Sequence, residues 1–125
     1  MLGYPEAALA DIQDALKDAR EIGLAATLMY ALTNASLIHI YCGNYATANA
    51  EANELSALAG EKSALFWKAS GMINQGCVSA LTGKASDAVR IITSGIIAFR
   101  STGATLWVPT HLSYLTRAYC TRPIR

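Results

Sequence analysis

Gly3, Gly43 and Gly83 recur at an even spacing of 40, and Ala8, Ala48 and Ala88 repeat that spacing. Each glycine is followed five residues later by an alanine, in the phrases Gly-Tyr-Pro-Glu-Ala-Ala, Gly-Asn-Tyr-Ala-Thr-Ala and Gly-Lys-Ala-Ser-Asp-Ala. A second set lies midway, with Gly23 and Gly103 two periods apart and Ser63 halfway between them. Trp67 and Trp107 are one period apart, as are Asn34 and Asn74. A chain punctuated at such a period builds its core by stacking copies of one supersecondary unit, because no single unit buries its own apolar face. Glycine at a turn takes the left-handed backbone that ends a helix. The alanine that follows sits in the first turn of the next helix, where two helices cross closely. The unit is therefore read as a helical hairpin.

Between these marks apolar residues recur at helical spacing. Ala8, Ile12, Ala15, Leu16, Ala19 and Ile22 line one face of the first segment, and Asp11, Asp14, Asp18 and Glu21 line the other. Pro5 suits a helix first turn, where its missing N–H is not needed. The pattern predicts six helices, over 5–22, 25–42, 45–60, 62–82, 85–101 and 104–120. In the fourth, Ala69, Met72, Ile73, Gly76, Cys77, Ala80 and Leu81 form a stripe, and Gly71 and Gly76 allow close backbone approach. The fifth contains Ile91-Ile92-Thr-Ser-Gly-Ile96-Ile97, a β-branched run that also reads as a strand. Its helical neighbours in the repeat favour a helix. The expected organisation is one domain over 1–125, with repeats at about 3–42, 43–82 and 83–122.

Composition supports an all-helical chain. Of 125 residues, 53% are hydrophobic and 15% charged, which is too apolar for a disordered segment. The apolar residues are small: 23 alanines stand against 14 leucines, 10 isoleucines and 3 valines. Alanine is the best helix former and permits close packing. The uncharged stretch Ile22 to Ala50 is broken by Gly43-Asn44 and carries Thr27, Thr33, Asn34, Ser36 and His39, so it does not read as a membrane span. The N-terminus lacks the basic and apolar regions of a signal peptide. Cys42, Cys77 and Cys120 form no CxxC or Cys/His pair, and buried thiols in a reducing cytosol are expected.

The net charge of +1 hides two unlike halves. Residues 1–61 hold eight acids and two bases, net −6, whereas residues 62–125 hold eight bases and one acid, Asp87, net +7. Ordinary solvated surface accounts for such runs. The alternative is a charge dipole that favours head-to-tail contact with a copy of the chain. The bases are spread singly, without aromatic interleaving, so nucleic-acid binding is not expected.

No catalytic, cofactor or metal constellation emerges. Gly71-Met-Ile-Asn-Gln-Gly76 has the outline of a phosphate loop, but Cys77-Val78 replaces the lysine and hydroxyl that such a loop needs. Packing glycines are the better reading. His39 and His111 lie far apart along the chain with no acid beside either in sequence, and they read as structural histidines.

The turn Gly43-Asn-Tyr45-Ala-Thr-Ala48 resembles the inter-helix turn of tetratricopeptide repeats, and Gly76, seven residues before Gly83, falls on their other small position. The period of 40 exceeds the usual one of about 34. Several phrases are similar to the C-terminal repeat region of bacterial proteins that join a class III adenylate/guanylate cyclase domain, an ATPase domain and a helical array. They are Leu2-Gly-Tyr-Pro-Glu-Ala-Ala-Leu9, Glu21-Ile-Gly, Ala57-Leu-Ala-Gly-Glu61 and Arg100-Ser-Thr-Gly-Ala-Thr-Leu-Trp-Val-Pro109. The resemblance covers about residues 2–120 and departs at Pro123, where a fourth turn glycine is due. In repeat phase the chain opens on the second helix of a unit, so both ends look like cuts through a longer solenoid.

The resemblance implies a right-handed α-α superhelix of three hairpins whose first helices line a concave groove. Those helices are the second, fourth and sixth. It implies a sensing or interaction segment, with any cyclase or ATPase activity in other domains. The groove residues would be Tyr30, Asn34, Leu37 and Tyr41 on the second helix, Ser70, Asn74 and Cys77 on the fourth, and Thr110, Tyr114 and Arg117 on the sixth. This mixed face suits a protein or peptide with apolar anchors. Packing between hairpins is the alternative for several of these residues, as it is for Trp67 and Trp107. A small-ligand sensor with a pocket near Tyr30, Asn74 and Trp107 is the competing functional reading. Solenoid ends normally carry polar caps. Leu2 and Tyr4 at one end and Leu112, Leu115 and Tyr119 at the other are not such caps, and they predict self-association through an open end.

Overall fold

The computed structural model describes residues 4–103. They form five helices: α1 (Tyr4–Ile22), α2 (Ala25–Tyr41), α3 (Tyr45–Glu61), α4 (Leu65–Leu81) and α5 (Ala85–Ser101). No strand occurs among the described residues. The expected helix over 104–120 lies outside them.

The backbone turns left-handed at even intervals, at Gly23 (φ 75°), Gly43 (80°), Ser63 (52°), Gly83 (87°) and Gly103 (83°). Both sets of sequence marks are thus the same device at alternate ends of the hairpins. After α2, the Asn44 N–H reaches the His39 carbonyl at 2.8 Å and the Gly43 N–H reaches that of Ile40 at 3.1 Å. After α3, Ala64 bonds Ala59 at 2.8 Å and Ser63 bonds Gly60 at 3.2 Å in the same way. This paired pattern satisfies carbonyls that the helix end leaves open. The starts of α2, α3, α4 and α5 carry no side-chain cap bond. Helix boundaries are therefore set by how each preceding helix stops.

Ser63 explains the main boundary difference. The fourth helix begins at Leu65 rather than at 62, because residues 62–64 form the turn. The isoleucine-rich run of α5 is helical, and its Gly95 lies against α4, where an added Cβ would come within 2.7 Å of the Ile73 side chain. Gly76 of α4 meets Ile92 of α5 in the reciprocal manner, and a Cβ there would overlap the isoleucine.

Each helix packs on the next, and α2 also packs on α4. The backbones of α1 and α3, and of α3 and α5, do not approach closely. The inner row is therefore α2 and α4, with α1, α3 and α5 behind it. Met29, Leu32, Leu55 and Ala59 form a core between α2 and α3. Ile40, Ala48, Cys77 and Val78 join α2, α3 and α4. Ala69, Ile73, Ala80, Ala88, Ile92, Ile96 and Phe99 form the α4–α5 core. Ala48, Ala52, Ala59, Ala69 and Ala88 are completely buried, as close helix crossings require.

Candidate interaction surface

The residues singled out on α2 do share one face. Tyr30 and Tyr41 are 62% and 74% exposed. Asn34 and Leu37 between them are half-buried. The equivalent positions of α4 lie elsewhere. Asn74 is buried, and its side-chain amide donates to the Ser36 hydroxyl at 2.6 Å and to the Thr33 carbonyl at 3.4 Å. Cys77 is buried in the core around Ile40. Ser70 is half-buried and donates to the Phe66 carbonyl at 3.1 Å, one turn back in its own helix. The α4 row thus faces α2, whereas the α2 row is exposed at Tyr30 and Tyr41 and half-buried between them. Thr110, Tyr114 and Arg117 lie outside the described residues, as do His111, Trp107, Cys120 and the terminal residues Leu2, Leu112, Leu115 and Tyr119. Tyr4 begins α1.

Trp67 is packed between the α1–α2 and α3–α4 hairpins. Its ring meets Tyr30 edge-on at 6.1 Å and Phe66 edge-on at 4.9 Å, and Phe66 continues to Phe99 at 4.9 Å. The contact between Tyr30 and Trp67 ties α2 to α4 while most of Tyr30 stays in solvent.

Two ionic contacts were not legible in sequence. Arg20 of α1 grips Glu54 of α3 through two bonds, Nη1 to Oε2 at 2.6 Å and Nη2 to Oε1 at 2.9 Å. These bonds hold the Glu54 carboxyl below its ordinary range, with burial opposing them, and push the Arg20 guanidinium up. The fork bridges two outer helices whose backbones stay apart. Deeper in, His39 Nδ1 lies 2.5 Å from Glu51 Oε1, and both residues are buried. Burial pushes the Glu51 carboxyl up, while its bond to His39 pulls the other way. The acid that His39 lacks in its own stretch of sequence is supplied across the turn by α3.

A shallow hollow of about 240 Å³ opens at the α1–α2 turn, lined by Arg20, Leu24, Leu28, Leu58 and Lys62 among others. Tyr30, Asn34, Leu37 and Tyr41 do not line it. Among the described residues no group of three or more His, Cys, Asp or Glu side chains is placed to hold a metal ion, and no helix is long and apolar enough to cross a membrane. Cys42 is half-buried and forms no disulfide with Cys77. No known protein family, curated protein or solved structure matches the chain.

Proposed function

We propose that this chain is a non-catalytic, cytoplasmic protein-interaction module, built as a right-handed superhelix of three hairpins with residues 104–120 as a sixth helix. The observation that carries the reading is the row Tyr30, Asn34, Leu37 and Tyr41, displayed on the inner row of a stacked helix array. Two exposed tyrosines on a rigid helix offer large amphipathic anchors at low entropic cost. A polar residue and a half-buried leucine between them suit a helical or extended protein segment. The resemblance to cyclase–ATPase repeat arrays supports a regulatory origin, and the −6 and +7 halves of the chain support self-association.

The test is selection of a displayed peptide library against the full chain. Enriched peptides should carry apolar anchors and lose affinity on the order of tenfold when Tyr30 and Tyr41 are both changed to Ala. No enrichment, or binding indifferent to both tyrosines, would overturn the assignment of this face.

A further inference from the structure

The hollow at the α1–α2 turn holds chemistry that the tyrosine-bearing face does not use. Its walls are the end of α1, the start of α2 and the end of α3, so it is complete within the described residues. Its floor is apolar. Ala25, Leu28 and Leu58 there pack against the buried core of Met29, Leu32, Leu55 and Ala59. Its rim is ionic and exposed, with Arg20, Glu61 and Lys62. At about 240 Å³ it is smaller than a site for a drug-sized molecule, and it suits a small metabolite.

The repeat supplies an internal comparison. One period on, the corresponding place lies at the α3–α4 turn and the end of α5. There Gly60 stands for Arg20, Ser101 for Glu61, Thr102 for Lys62 and Ala98 for Leu58. Lys68 stands for Leu28, and its amine lies 4.0 Å from where a Gly60 Cβ would be. That junction stacks without an ionic rim and without the leucine floor. Hairpin packing therefore does not require them at the first junction, and a ligand gives them a use.

We propose that the hollow binds a free α-amino acid with an aliphatic side chain. Its carboxylate meets Arg20 and Lys62, its ammonium meets Glu61, and its side chain covers Leu28 and Leu58. Arg20 is already held by Glu54 through one bond from each Nη, which leaves the other donors of the fork for the ligand. Glu61 and Lys62 form no ion pair among the described residues. With Arg20 balanced by Glu54 and Lys62 by Glu61, the rim is neutral in sum and presents both signs. That matches a dipolar ion better than a plain anion or cation. The apolar floor supplies affinity and the rim supplies selectivity. The site is separate from the Tyr30–Tyr41 face, so either reading can fail alone.

The test is titration of the isotope-labelled full chain with leucine, followed by two-dimensional NMR. Leucine should shift the backbone amides of Gly23, Leu24, Leu28 and Leu58 in a saturable way. Isocaproate lacks the ammonium and isoamylamine lacks the carboxylate, and each should bind roughly tenfold more weakly than leucine. Glu61→Gln and Lys62→Gln should each weaken leucine binding by roughly the same factor. Both residues are exposed, and an unchanged spectrum away from the hollow shows that the variants fold. Lys68→Gln, at the next junction, should leave leucine binding as it is. No saturable shift at millimolar leucine overturns the site, as do shifts clustered away from the hollow. Isocaproate or isoamylamine binding as tightly as leucine overturns the assignment to an amino acid. Leucine binding that is indifferent to both rim substitutions overturns it equally.

Discussion

Ser63 is the residue at which the repeat departs from its own rule. It holds φ of 52°, in a position where the other four turns have glycine. A side chain in this conformation costs about 1–2 kcal/mol. Ser63 is exposed, so Ser63→Gly should raise stability by about 1 kcal/mol in chemical denaturation. Glu51 is a second residue-scale case. Its carboxyl titrates above the ordinary range, so the folded chain holds a proton that the unfolded chain has released. Its contribution to stability therefore falls as pH rises from the ordinary carboxylate range through its own raised value. Glu54, held low by Arg20, acts in the opposite sense and at lower pH. Glu51→Gln should remove the decline and leave the acid-side loss intact, read as melting temperature against pH. His39, Arg20 and Glu54 are the other groups acting on Glu51.

At the scale of the element, α4 and α5 show why glycine appears inside helices that would otherwise be better made with alanine. Gly76 and Gly95 each lie against an isoleucine of the facing helix. Gly76→Val should lower stability by about 2 kcal/mol or more, because the added methyls meet both the Ile92 side chain and its backbone. Gly60 is the contrast, since a Cβ there meets only the Lys68 amine at 4.0 Å. Gly60→Ala should stabilise α3 by about 0.5–1 kcal/mol. Thermal melts of the two variants check the opposite signs. The close approach at Gly71 and Gly76 was legible from glycines placed inside a helix, with Gly76 on its apolar stripe. The Gly95 contact was not, because a β-branched run reads the same way in a strand until its partner is known.

At the scale of the molecule, stability is distributed by the number of neighbours each helix has. α4 is flanked by α2, α3 and α5, whereas the backbone of α1 packs closely on α2 alone. Amides of α1 should exchange with solvent first and those of α4 last, by hydrogen exchange with mass spectrometry.

The positions of the turns, the five helices over residues 4–103 and the acidic outer face of α1 follow from the sequence alone. They depend on local backbone freedom and on a helical period of about 3.6, both carried by neighbouring residues. Which helical face is buried depends instead on a helix two elements away. The row of α4 that includes Asn74 and Cys77 has the same spacing as the row of α2 that includes Asn34 and Leu37. Only contact between α2 and α4 makes the first interior and leaves the second half-buried. The same holds for His39 with Glu51 and Arg20 with Glu54, which are 12 and 34 residues apart and meet only because the hairpins stack.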